Sequence, residues 1–248
     1  MRFLQRLKLF LFALIIILLF LLISISGDAK VYRDGDELQM EILRSNFLGG
    51  DCEPFLREEN RNFIRRRSDL LMYRGLCLYR SGIFKEALAA FDEVLKLDPD
   101  NLEALNNKAI IYVNYLGDKE KALQIYNKII EKEPQNIDFR LNRILILDDI
   151  GDYDKALREL EIILNKEPRN SIAWLLKGNI YFKKGELRKA IASVNRALWY
   201  NPNLVEAYTN RGVIRLQMGN KRFGCRDLEK AMKHGSTLAE KHYQAACK

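Results

Sequence analysis

An all-α fold, a solenoid of stacked antiparallel helix pairs, is predicted by three residue series that keep one period along the chain. Prolines fall at Pro99, Pro134, Pro168 and Pro202. Glycines fall at Gly82, Gly117, Gly151, Gly185 and Gly219. Small residues fall at Ala87, Ala122, Ala156, Ala190 and Gly224. Three residue types with separate backbone roles share a spacing of 34 or 35 residues, which chance does not produce.

Each element follows from its residues. The second helix of a unit carries apolar residues at i, i+1, i+4, i+7 and i+8, one face of a helix. Ala87, Leu88, Phe91, Val94 and Leu95 form the first such stripe, and Ala190, Ile191, Val194, Ala197 and Leu198 the fourth. The glycine falls between the two helices, where a left-handed backbone is required. The proline follows the second helix and stops it. Ala87 and its equivalents let the paired helices approach, and Gly75, Ala109, Gly178 and Gly212 meet them from the first helices. Ile144 stands at that place in the third unit, which predicts a slightly splayed pair.

These residues resemble the tetratricopeptide repeat (TPR) family. The fourth unit carries the pattern most fully, with Trp174, Gly178, Tyr181, Gly185, Ala190 and Pro202. The resemblance covers residues 68–238 and implies a right-handed TPR solenoid. The units divide as 68–101, 102–136, 137–170, 171–204 and 205–238, followed by a polar capping helix at 239–248, which solenoid ends need. Residues 36–67 read as a degenerate helical unit: a helix, a turn at Gly49 and Gly50, and a second helix from Pro54 to Arg67. Residues 27–35 read as a tether.

Residues 1–26 read as a signal anchor, with a cleaved signal peptide as the alternative. Arg2, Arg6 and Lys8 precede a run from Leu9 to Ile25 that has no charge. These seventeen residues, all but Ser24 apolar, have a length where the two ranges meet. Both readings put the N-terminus in the cytoplasm and the repeats outside it, because the basic residues precede the run. An N-terminal apolar helix held in the membrane through residues 9–25 is the expectation. Secretion into an extracytoplasmic space is the alternative. The net charge of +8 is modest once the N-terminal cations are set aside, and no nucleic-acid partner is predicted.

No catalytic pattern stands out, and neither a cofactor nor a metal site is predicted. His234 and His242 sit outside any ligand spacing and read as cap or surface residues. Asp148 and Asp149 read as a solvated helix end. The chain therefore reads as a non-enzymatic scaffold for a protein or peptide partner. Stacked first helices line the inner groove of this family, and their sixth position reads Tyr73, Asn107, Asn142, Leu176 and Asn210. The resemblance implies that such asparagines hydrogen-bond an extended peptide, since an amide both donates and accepts. Tyr73, Asn107, Asn142 and Asn210 are the candidate peptide-binding residues. An assembly factor acting through the convex surface is the second reading. The family's clamp for a terminal carboxylate is not matched, because the corresponding places hold Met72, Leu76, Asn106, Ile110, Leu141 and Leu145. A basic series, Arg74, Lys108, Arg143, Lys177 and Arg211, recurs once per unit and reads as structural cover for apolar surface.

Four cysteines allow three pairings. Cys225 and Cys247 lie at equal distance from the turn placed at Ser236, on helices that run antiparallel, and are predicted to form a disulfide. The sequence around them also resembles the last repeat of exported bacterial TPR proteins. Cys52 and Cys77 are centred near the turn before Ser68, but their pairing stays open. Buried thiols are the alternative.

Overall fold

The computed structural model describes residues 29–248, with side chains from Glu37 onward. The apolar run assigned to the anchor lies outside the described residues. Among those described, no helix is long and apolar enough to cross a membrane. They form fourteen helices and no strand. Two compact units result, one ending at Ala104 and one beginning at Leu105.

The first unit holds α1 (Ala29–Leu48), α2 (Glu53–Leu56), α3 (Glu58–Ile64), α4 (Ser68–Arg80) and α5 (Phe84–Leu97). Two expectations are corrected here. Of residues 27–35, read as a tether, those described are helical, because the helix is already formed at Ala29 and runs unbroken to Leu48. The single helix expected from Pro54 is two helices, broken where Arg57 takes an extended conformation (ψ 133°). The break is stabilised by groups that occupy the carbonyls it frees. Asn60 Nδ2 donates to Pro54 O at 2.8 Å, and Arg74 Nη1 donates to Phe55 O at 2.7 Å. Buried backbone acceptors must find a donor somewhere, and these two side chains supply it. Phe55, Ile64, Leu70, Leu71 and Phe91 are fully buried and form the core of this unit. Cys52 is bonded to Cys77 with Cα atoms 5.3 Å apart, which fastens the segment before α2 to α4.

The second unit opens within α6 (Leu102–Asn114). Its paired helices follow: α7 (Lys119–Lys132); α8 (Ile137–Asp149) with α9 (Tyr153–Lys166); α10 (Ser171–Lys183) with α11 (Leu187–Tyr200); α12 (Val205–Gln217) with α13 (Lys221–Lys233); and the last helix, α14 (Thr237–Ala246). The local signals act as the sequence suggests. Gly185 has φ +76°. Its N–H donates to Phe182 O, and the N–H of Glu186 donates to Tyr181 O, both at 2.9 Å. That pair of bonds satisfies the carbonyls left open at a helix end. The residue two after the proline caps the next first helix: Asn136 accepts from Asp138 N, and Asn170 from Ala173 N.

Close approach within a pair depends on the glycines facing the second helix. A Cβ on Gly178 would stand 2.5 Å from Val194 Cγ2. Ile144 takes this place in α8, fully buried among Leu147, Ala156 and Leu160. Helices α8 and α9 consequently form a looser pair than α10 with α11 or α12 with α13. Fastening at the C-terminal end comes from Cys225–Cys247, whose Cα atoms are 5.8 Å apart. This lies inside the reach of a disulfide, about 7 Å.

Candidate functional site

The amides of the second unit lie on the first helices and are joined in pairs. Asn142 on α8 donates through Nδ2 to Asn106 Oδ1 on α6 at 3.4 Å. Tyr126 on α7 gives its hydroxyl proton to the same oxygen at 2.9 Å. Burial pushes the Tyr126 phenol up to about 12, while its hydrogen bond with Asn142 pulls the other way. Asn210 on α12 donates to Asn179 Oδ1 on α10 at 2.6 Å. Each pair leaves amide capacity unspent, since an asparagine side chain offers two donor hydrogens and an acceptor oxygen. Asn107 lies half-buried on α6, one residue after Asn106.

The ladder is therefore read in a shifted register. Leu176 interrupts the sixth position, and Asn179, three residues on and one turn along the same face, takes its place. That substitution was legible as an i+3 neighbour. The partnering of Asn106 with Asn142 was not, because it joins residues 36 apart on different helices. Tyr73 belongs to the first unit. Its ring stacks on Phe47 at 4.3 Å between centroids and meets Phe55 edge-on at 6.1 Å. An aromatic cluster thus occupies the side chain that the sequence nominated for peptide contact.

A pocket of about 300 Å³ opens beside the Asn179–Asn210 pair. Phe182, Val213 and Ile214 supply its apolar wall, and Asp148, Lys183 and His242 its polar rim. One sequence reading is corrected by it. Asp148 is not a solvated helix end: its side chain is 16% exposed, and Oδ2 accepts from Lys183 Nζ at 2.8 Å. His242, read as a cap or surface residue, is half-buried on the last helix and contributes to this rim. A second pocket of about 220 Å³ lies beside Asn142, lined by Ile110, Val113, Leu145 and Ile146.

The basic series is spent inside the fold. Arg211 binds Asp227 through two bonds of 2.8 Å and also donates to Asn195 at 3.0 Å. Arg143 pairs with Glu159 and donates to Asn127 at 2.8 Å. Both reach sixteen residues forward and sixteen back, tying a first helix to the second helices on either side. Lys177 lies 5.4 Å from the Trp174 ring centre and 3.7 Å from Glu161. These cations hold repeats together.

Comparison with known proteins agrees with this geometry. A model of the tetratricopeptide repeat matches residues 78–144, and a TPR repeat model matches residues 178–219. The chain is a tetratricopeptide-repeat protein. Among solved structures, MamA (residues 41 to the end) from Desulfovibrio magneticus RS-1 superposes with TM-score 0.59 at 22% identity, over 67% of this chain and 93% of that one. TTC0263 from Thermus thermophilus, also a TPR protein, gives 0.59 at 22% identity, over 73% and 99%. YrrB, described as a TPR protein with an unusual peptide-binding site, gives 0.55 at 19% identity, over 78% and 99%. Identities this low show a shared TPR fold and nothing finer. Photosystem I assembly protein Ycf3 of Synechococcus sp. (strain CC9902) is 35% identical over 88 residues, 34% of this chain and 50% of that protein. Ycf3 of Prochlorococcus marinus (strain NATL1A) gives the same figures. The chain spans about half the length of the curated relatives it matches. The TPR scaffold of this chain suits it to protein–protein interaction.

Proposed function

We propose that this TPR protein is a non-catalytic scaffold that holds an extended segment of a partner protein along the first helices of its second unit. The Asn179–Asn210 pair beside an apolar pocket carries this reading, because unspent amide capacity next to an apolar wall suits a peptide backbone with a side chain attached. Asn107 and Asn142 extend the same row. Replacing Asn107, Asn142 and Asn210 together by alanine is expected to reduce capture of the partner while helicity is unchanged. Each amide contact contributes about 0.5–1.5 kcal/mol net, so the triple variant is the informative one. Unchanged capture would favour the second reading, an assembly factor that works through its second helices. Trp199 and Ile162 motivate that alternative, being 81% and 48% exposed on those helices. The name of the Ycf3 relatives, a photosystem assembly protein, also motivates it.

The proposed location is outside the cytoplasm, anchored through residues 9–25, with secretion after cleavage as the alternative. Two disulfides support an oxidising compartment. Protease added outside intact cells or spheroplasts is expected to digest the repeats. Protection of the repeats together with a cytosolic control would reverse the assignment.

A further inference from the structure

The groove of the second unit differs in charge from the chain that carries it. The whole sequence is +8, which taken alone would favour acidic partners. The groove's own charges are matched. Asp148 pairs with Lys183 at 2.8 Å and Asp149 with Lys119 at 2.6 Å. Between them lie the uncharged amides and apolar side chains, including Leu145 at 49% exposure.

We propose that the groove selects an uncharged, extended segment and seats one apolar side chain against Phe182, Val213 and Ile214. This rests on the groove reading above and adds the partner's chemistry to it. A carboxylate entering beside Lys183 loses water and meets a cation already neutralised by Asp148, while a lysine beside Asp148 meets the converse. Either charge is desolvated without a counter-ion, which is unfavourable. A leucine or phenylalanine loses only its contact with water, which favours binding. A second observation points to the backbone of the ligand: the Asn179–Asn210 pair lines the same pocket and keeps amide donors and an acceptor that its single mutual bond does not use.

Three fluorescein-labelled, end-capped nonapeptides test the proposal by anisotropy on the purified, oxidised repeat-containing protein. The first alternates leucine and serine, and the other two carry glutamate or lysine in place of the central leucine. The leucine probe is expected to bind about tenfold more tightly than either charged probe, about 1.4 kcal/mol. Asp148→Asn removes the counter-ion of Lys183 and is expected to strengthen the glutamate probe at least threefold relative to the leucine probe. Lys183→Met is expected to do the same for the lysine probe. Circular dichroism confirms that both variants remain folded. A glutamate probe that binds wild type best overturns the proposal, as does equal binding of all three probes or no binding of the leucine probe at about 1 mM. If the proposal fails while the triple asparagine variant still loses its partner, the groove reading survives. If both fail, the groove is not the site.

Discussion

Gly178 faces Val194 so closely that a Cβ on the glycine would stand 2.5 Å from the valine Cγ2 and 3.2 Å from Ala190 O. The contact is made by backbone as well as side chain, so a rotamer change of Val194 does not clear it. Gly178→Ala is expected to destabilise the second unit by about 1–3 kcal/mol, the range for overpacking a tight core. Urea unfolding measures it. A companion substitution, Val194→Ala in the Gly178→Ala background, is expected to recover only part of the loss.

Asp227 is the buried counter-ion of two arginines. It is bonded to Arg211 and lies 2.5 Å from Arg215, with its own side chain 6% exposed. Asp227→Asn keeps the shape and removes the charge, which leaves both guanidinium groups unmatched. The expected loss is about 3–5 kcal/mol, the range for breaking a buried pair from one side. Thermal unfolding of this variant beside Arg226→Ala, a nearby cation outside the pairing, separates this effect from a general change in charge.

Tyr126 gives the stability a dependence on high pH. Its phenol titrates at about 12 in the folded chain against about 10 in the unfolded one. The folded state therefore holds a proton that the unfolded state releases, and stability falls as pH rises from about 10 to about 12. A difference of about two units corresponds to about 2–3 kcal/mol. Denaturant melts across this range are expected to show the loss, and Tyr126→Phe to reduce it, since the pKa values of Tyr243 and several paired lysines are also raised.

The two disulfides close loops of 25 and 22 residues. Each is expected to contribute about 3 kcal/mol by restricting the unfolded chain. Protein purified without reductant is expected to show no free thiol among its four cysteines. Cys225→Ser with Cys247→Ser is expected to loosen α14 first, seen as faster amide exchange in the last helix than in α10.

Reading the sequence went furthest where the signal is local or strictly periodic. The glycine turns, the stop after each second helix, the apolar stripes and the looseness at Ile144 all depend on neighbours within one unit. Repeat symmetry then carries each assignment to the next unit. It failed at Arg57, where the helix break depends on Asn60 and on Arg74 from another helix. Nor did it show that the Tyr73 ring stacks on Phe47, twenty-six residues earlier.

Backbone preferences and a period of 34 or 35 residues, written in single residues, were enough to specify an all-helical chain with a turn at each recurring glycine. Only the tertiary structure decided what the groove contains. Asn210 meets Asn179 and Asp148 meets Lys183 across 31 and 35 residues. The first spacing is not the repeat period, and the second is one residue longer than the local interval of 34 between Gly151 and Gly185. Which side chains touch across adjacent helices depends on how far each helix is rotated and shifted by its packing, and no local signal specifies that displacement.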